Sequence, residues 1–201
     1  MNDPVRHHSI LRTEILTGDA RTEPVSLRVF CKRRGRSLPI AECMGCARLA
    51  HARLTSDARL TAIECDDTSG VNTPNDAASE PVGALLKGTV VCVAENATLS
   101  EVVEDMVNLG LEDAPVIDAE GRYYGVIRES GLVGMAKDDV ARDALIRAAA
   151  VSENDTVYDA VVHMARTHQR EIPVLSAEGV VIGVLRDVDA IRWLKRARDS
   201  V

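Results

Sequence analysis

The sequence contains two copies of one segment, and this repeat restricts the fold more than any other feature. Residues 93–133 align with residues 151–191 without a gap when the chain is shifted by 58 positions. In both copies a Glu-Asn turn, a Pro-Val pair and an Ala-Glu-Gly turn recur at matching positions. An ungapped internal match of this length indicates a duplicated supersecondary unit.

Each copy has the pattern strand, helix, strand, strand, helix. In the first copy, Thr98 stands three residues before Glu101, the spacing at which two such side chains cap a helix start. A single apolar stripe follows in each copy, formed by Leu99, Val102, Val103, Met106 and Val107 and by Val157, Ala160, Val161, Met164 and Ala165. Two strands joined by a polar turn come next. A second helix is predicted from Arg128 to about Ala136 and from Arg186 to about Arg198.

A unit of about 50 residues buries too little apolar surface to fold alone. We therefore expect the two copies to pack against each other.

The closing strand of the second copy carries the motif that points to a family. Gly183-Val184-Leu185 is followed, after three residues, by Asp189. Together with the tandem repeat, this motif resembles the cystathionine-β-synthase (CBS) domain, and the pair resembles a Bateman module over about residues 83–197. The resemblance implies an α/β (α+β) fold of two β-α-β-β-α units. It also implies a compact pair that often forms a homodimer and binds adenosine-containing ligands to regulate an attached or partner protein.

The same resemblance implies which residues bind the ligand. In the family pattern the Asp accepts hydrogen bonds from both ribose hydroxyls, while a Ser or Thr and the following helix N-terminus receive phosphate. The second copy keeps Asp189 but has Arg186 in place of the hydroxyl residue, and Arg186 could hold phosphate with two hydrogen bonds. The backbone around Ile172 and Pro173 is expected beside the base.

The first copy departs from the pattern. Arg128 and Gly131 occupy the positions of the hydroxyl residue and the Asp. We expect this first site to be degenerate, with Arg128 as its remaining ligand-binding candidate. A structural alternative stays open for both copies, in which Arg186 and Asp189 are ordinary solvated residues and the pair serves only folding or dimerisation.

Charge divides the chain into two parts. Residues 1–65 carry 11 basic and 7 acidic side chains, whereas residues 66–201 carry 13 and 24, so the front is +4 and the rest −11. Residues 66–82 have few large apolar side chains and two prolines, which is typical of a linker. The predicted organisation is a flexible segment (1–24), a cysteine-rich domain (25–65), this linker, and CBS domains at 83–140 and 141–198.

Four of the five cysteines lie in the front part, as Cys31, Cys43, Cys46 and Cys65. The Cys-x-x-Cys spacing lets two thiolates reach one ion, and flanking strand-like segments could bring in the other two. We interpret the region as a zinc-ribbon-like domain with a four-thiolate zinc site that contributes to its folding.

Other interpretations of the cysteines stay open. An iron–sulfur cluster uses the same ligands, His51 could replace one cysteine, and the thiols could be redox-active or bind no metal. Disulfides are not expected in a reducing cytoplasm. Cys92, inside an apolar strand, is interpreted as a small buried residue.

The composition favours a binding module over an enzyme or a nucleic-acid binder. No phosphate-binding glycine loop, nucleophile elbow or His-Glu-x-x-His motif is present, so no catalysis is expected. The net charge of −7 and only five aromatic residues disfavour nucleic-acid binding, despite a basic cluster at Lys32, Arg33, Arg34, Arg36, Arg48 and Arg53. That cluster could offset a zinc–thiolate site or face the acidic repeat.

The leading hypothesis is a regulatory sensor that binds an adenosine-containing ligand and signals to an unidentified partner protein. The alternatives are a transcription-linked protein whose zinc unit contacts nucleic acid, and a redox or metal sensor. No apolar run is long enough to cross a bilayer and no signal-peptide core is evident, so the protein is expected to be soluble and cytoplasmic.

Overall fold

The computed structural model describes residues 5–17, 21–57, 59–66, 79–146 and 148–198. We call residues 5–66 the N-terminal region. Its elements are β1 (Val5–Leu16), β2 (Thr22–Cys31), β3 (Arg36–Pro39), α1 (Ile40–Met44), β4 (Leu49–Leu54) and β5 (Leu60–Asp66). The first copy contains β6 (Gly88–Ala94), α2 (Leu99–Leu109), β7 (Asp113–Ile117) and β8 (Tyr123–Arg128). The second contains β9 (Val151–Ser152), α3 (Val157–Thr167), β10 (Glu171–Leu175), β11 (Val181–Arg186) and α4 (Asp187–Arg198).

The first helix of each copy forms where the sequence predicts it. Thr98 and Glu101 make the expected capping box at the start of α2, and Gly110 ends that helix with a φ of 65°. At the start of α3, Thr156 accepts a hydrogen bond from the backbone N–H of Asp159. In α2 the stripe residues Leu99, Val102 and Met106 are buried in the core, whereas Val103 and Val107 at its edge are 37% and 58% exposed.

The second helix forms in only one copy. In the second copy α4 extends for 12 residues as predicted. In the first copy the predicted helix to Ala136 is replaced by a short 3₁₀ turn at Glu129–Gly131. Gly131 ends this turn, and Gly134 has a φ of 90°, a left-handed conformation that an α-helix cannot accommodate. The prediction of a second helix was therefore wrong for the first copy.

The two copies pack against each other as the repeat requires. The backbone N–H of Tyr123 donates to Gly179, and the N–H of Val181 donates to Gly121, at 3.1 and 3.2 Å. The 58-residue shift that aligns the copies converts one of these hydrogen bonds into the other. The pair is thus related by a local two-fold arrangement, with a shared core that includes Cys92, Ile117 and Val181.

The N-terminal region is not a separate unit. Strand β1 lies in the same sheet as the first copy, in the order β3-β2-β1-β6-β7-β8, and pairs in parallel with β6. Residues 5–16 of the segment expected to be flexible are therefore an internal strand. The cause is burial, because β1 contributes Ile10 and Leu11 to two apolar cores and its neighbours satisfy its backbone groups.

Further contacts join the N-terminal region to the second copy. Arg28 pairs with Glu178 of the second copy at 2.8 Å, and Lys32 pairs at 2.6 Å with Glu80, which lies at the end of the linker beside the second copy's Val157. The fully buried Glu153 accepts a hydrogen bond from the backbone N–H of Ser37 at 2.7 Å. Of these two basic residues only Lys32 belongs to the basic cluster, and its partner Glu80 precedes both copies of the repeat.

The segment between these parts is only partly described. Residues 67–78, most of the predicted linker, lie outside the described residues. Its end is structured, because Val82–Ala84 forms a 3₁₀ turn and Val82 is fully buried. A Cβ on Gly83 would lie 2.4 Å from a ring carbon of Phe30, so only glycine permits this close packing.

Candidate functional site

A cavity of about 660 Å³ opens between the two copies. Its walls come from the segment leading into β6, from β7, from β11 and from the first turns of α4. The residues used below are Leu86, Asp113, Pro115, Arg186, Asp189 and Trp193. We call this cavity the open cleft. Its volume falls in the range that holds small organic ligands.

Charged side chains at the start of α4 form one wall of the open cleft. The Asp189 carboxylate accepts a hydrogen bond from Arg186 Nε at 2.9 Å and lies 3.6 Å from Arg192 Nη1. All three side chains line the cleft, and Asp189 is 43% exposed. A carboxylate between two guanidinium groups offers hydrogen-bond acceptors beside anion-binding donors.

The rest of the cleft lining combines apolar surface with two carboxyl groups. Pro115, Leu86 and the half-buried Trp193 supply the apolar part. Burial raises the pKa of the Glu171 carboxyl above its usual value, and the nearby Asp113 carboxylate adds to this increase. Asp113 is itself engaged by Arg128, whose Nε and Nη2 donate to it at 2.8 and 3.0 Å.

The structure brings together only some of the predicted ligand residues. Asp189 and Arg186 line the open cleft, whereas Ile172 and Pro173 are buried in β10 and do not line it. Arg128 lies at the end of β8, paired with Asp113, and is also absent from the lining.

Sequence reasoning missed Pro115, Asp113, Arg192 and Trp193. The 58-residue shift maps Pro173 onto Pro115, so the repeat contained the signal for the proline. The prediction took all contacts of this site from the second copy. The cleft is also lined by β7 of the first copy, the strand that corresponds to β10.

The four cysteines of the N-terminal region line a second, smaller cavity of about 80 Å³. They come from the end of β2 (Cys31), from α1 and the turn after it (Cys43 and Cys46), and from β5 (Cys65). Among the described residues, none of the four forms a disulfide. Burial raises the pKa of Cys43 to about 11, and the charges of Cys31, Cys65 and Cys46 add to this increase.

This arrangement does not support the predicted zinc ribbon. Within the described residues, no group of three or more His, Cys, Asp or Glu side chains is placed to hold a metal ion. The region is instead a β-sheet whose backbone is fixed by strand pairing and by a core of Ile10, Val29, Leu38 and Ile63. The four thiols line one cavity, as the cysteine spacing suggested. They are not arranged as the ligands of a metal ion.

Three of the six residues of the basic cluster form ion pairs with acidic side chains within the described part of the chain. Arg34 pairs with Glu42 at 3.2 Å, Arg53 pairs with Glu64, and Lys32 pairs with Glu80. These pairs lower the local positive potential that a phosphate backbone would require.

The repeat, the two-fold packing and the interdomain cleft define a tandem pair of α/β domains. The chain belongs to the CBS domain family, whose model matches residues 82–138 and 135–196. An uncharacterized protein of Methanocaldococcus jannaschii is 27% identical over 124 residues, which cover 59% of this chain and 44% of that protein. The chain spans half or less of the length of three such relatives from this organism.

Solved structures show the same fold. A CBS domain pair/ACT domain protein of Thermotoga maritima superposes with a TM-score of 0.53 at 22% identity, covering 58% of this chain and 98% of that one. The cytosolic domain of the Mg²⁺ channel MgtE, solved in complex with ATP, superposes with a TM-score of 0.53 at 20% identity, covering 57% of this chain and 48% of that one.

Among the described residues, no helix combines the length and apolar character needed to cross a membrane.

Proposed function

We propose that the chain is a regulatory module that binds an adenosine-containing ligand in the open cleft and signals to a partner protein. The observation that carries this proposal is the placement of Asp189, between Arg186 and Arg192, at the mouth of a cleft of ligand size. Membership of the CBS family and the ATP complex of a similar fold support it.

The side chains divide the work of recognition. The ribose hydroxyls donate to the Asp189 carboxylate, because an ionised carboxylate offers only acceptors. Phosphate replaces the Asp189 carboxylate as the partner of Arg186 and Arg192. The N-terminus of α4 also favours the negative charge of the phosphate. The apolar wall at Pro115, Leu86 and Trp193 takes the base.

Ligand binding in this proposal is a signal and not a catalytic step. Occupancy would regulate through different affinities in two states of the pair. We further propose a homodimer formed through the CBS pair, as the family resemblance implies.

The test compares Asp189→Asn with the wild-type chain by calorimetry and thermal shift, using AMP, ADP, ATP and S-adenosylmethionine at millimolar concentration. At about one hundred times the dissociation constant, a binding ligand should add about 2.7 kcal/mol to the free energy of unfolding. Asn lacks the charge, so we expect about tenfold weaker binding or more. The matched control is Glu129→Gln, an exposed carboxylate at the corresponding turn of the first copy that does not line the cleft. Absence of binding to the wild-type chain by all four compounds would refute the proposal.

A second candidate function concerns the cysteine cavity. We propose that it binds zinc, because four thiols from separate elements line one cavity together with Lys32, Arg33, Arg34 and Arg48. A zinc ion with four thiolates carries a charge of about −2, which these cations would offset. Binding would require the thiols to close on the ion, with loss of their protons.

Native mass spectrometry of the purified protein tests this candidate. We expect one zinc per chain in the wild-type protein and in Cys92→Ser, since Cys92 is buried in β6 away from the cavity. Cys43→Ser should lose the ion. A metal-free wild-type protein would exclude zinc binding in this cavity. Bound iron with sulfide would show that the cavity holds an iron–sulfur cluster instead of zinc.

A further inference from the structure

The two copies of the CBS pair differ in the backbone partner of one pair of equivalent residues, Ile146 and Gly88. In the first half, Val126 of β8 forms a bridge with Ile146, the segment that leads into the second copy. The N–H of Val126 donates to Ile146 at 3.1 Å, and the N–H of Ile146 donates back at 2.9 Å. A Cβ on Gly125 would lie 3.1 Å from the Ile146 carbonyl oxygen. The first cleft is therefore closed along β8 by the chain itself.

The equivalent segment in the other half has a different partner. The 58-residue shift relates Ile146 to Gly88 and Val126 to Val184. In the described part of the chain, Gly88 pairs with Leu11 of β1, and β6 forms no bridge with β11. The open cleft lies where such a bridge would form, since Gly88, Gly183 and Val184 all line it.

Strand β1 also holds β11. The Thr13 hydroxyl donates to the backbone carbonyl of Val181 at 2.7 Å, and Thr13 is 1% exposed. The backbone of Thr13 also lies opposite Val90 in the parallel pair of β1 and β6. One residue of β1 thus contacts the two strands whose separation sets the width of the cleft.

We propose that strand β1 keeps the second cleft open and couples its ligand to the N-terminal region, so that each chain binds one ligand molecule. This inference rests on the proposed function and adds its regulation. Because β1 occupies the pairing edge of β6, that strand cannot close onto β11 in the way that Ile146 closes onto β8. Ligand and β1 then stabilise the same arrangement, and each strengthens the binding of the other.

The test measures ATP binding to the full chain by calorimetry for wild type, Thr13→Val and Thr13→Ser. Valine keeps the shape but removes the hydroxyl and leaves the Val181 carbonyl without this donor, so we expect about tenfold weaker binding. Serine keeps the hydroxyl and should bind as the wild type does. The matched control is Thr61→Val, since the Thr61 hydroxyl also donates to a backbone carbonyl, that of Arg53, but within the β4–β5 pair and not to β11.

Hydrogen exchange provides the second measurement. ATP should slow amide exchange in β1 and β6 of the wild-type chain, and this protection should be lost in Thr13→Val. The thermal transition of each variant shows that it is folded, and Thr13→Ser serves as the rescue if Thr13→Val is not.

The outcomes separate the two proposals. If the wild-type chain binds no nucleotide, the proposed function fails. If it binds one molecule but Thr13→Val binds equally well and β1 gains no protection, the coupling is wrong while the proposed function stands. Two bound molecules per chain would show that the first cleft is not closed.

Discussion

The first and second copies share a scaffold but differ in the parts that would touch a ligand. Both form the same capped helix and the same antiparallel strand pair, and they exchange equivalent hydrogen bonds across their interface. Beyond β8 the first copy has a glycine-containing turn, whereas beyond β11 the second has the helix that carries Asp189. The repeated core is thus the same in both copies, while the segments that follow β8 and β11 differ, and only the second of these lines the open cleft.

The largest effect is expected from truncating equivalent core methionines, Met106 and Met164. They are 0% and 3% exposed and occupy the same stripe position in α2 and α3. Met106→Ala and Met164→Ala should each lower the free energy of unfolding by about 2–5 kcal/mol. Urea unfolding followed by circular dichroism checks this, with the 58%-exposed Val107→Ala as a control that should change little.

The shape of those transitions tests whether the copies fold as one unit. A single cooperative transition in both variants is expected, because the copies share a core. Two separate unfolding transitions would show that the two copies unfold as independent domains and would contradict a shared core.

A smaller effect is expected from the glycines of the two closing strands. In Gly125→Ala the new methyl group would meet the Ile146 backbone oxygen at 3.1 Å, whereas in Gly183→Ala it would meet Leu86 side-chain carbons at 3.0 Å. A side-chain end can move but a paired backbone cannot. Gly125→Ala should therefore cost about 1–3 kcal/mol and Gly183→Ala less, measured by thermal unfolding.

For nucleotide binding we expect the opposite order, with the larger effect from Gly183→Ala. Gly183 lines the open cleft and Gly125 does not, so only Gly183→Ala should weaken binding. Equal losses in the two variants would contradict the assignment of one open cleft.

The smallest effect concerns the turns between paired strands, where the first copy has Asp118 and the second has Ser176. Burial opposes ionisation of Asp118, but hydrogen bonds from Arg122 and from backbone N–H groups outweigh it and lower the pKa of the carboxyl. A carboxyl with a lowered pKa in the folded state stabilises the fold above its unfolded pKa of about 3.9, and this stabilisation is lost as pH falls below that value.

Replacing Asp118 by Ser makes the two turns alike and removes this titration. The loss of stability between pH 5 and pH 3 should be smaller in Asp118→Ser than in the wild type, measured by urea midpoints at each pH. An unchanged pH dependence would show that Asp118 contributes nothing to the difference between the copies.

The sequence predicted the repeat, the capped helices and the strand pairs correctly, because these depend on local spacing. Thr98, Glu101 and the apolar stripe lie within three turns of one another, and strand pairs such as β7–β8 are joined by short turns. Asp189 and Arg186 were found through a motif of seven residues.

Predictions that depended on distant contacts were less successful. Pro173 was predicted to lie beside the base, but the cleft is lined by the equivalent Pro115 of the first copy, because the cleft takes its lining from both copies. The cysteine segment was interpreted as a zinc ribbon, although alternation in its flanking strands fits equally well in the sheet with β1.

The sequence by itself determined that two like units exist and must bury their apolar faces together, since the 58-residue repeat and its periodicity leave each unit incomplete alone. Only the tertiary structure decided that β1 pairs with β6, that Ile146 closes one cleft and that the other remains open. The physical reason is that backbone donors and acceptors are identical along every strand, so an apolar pattern shows which face is buried but not which edge finds a partner.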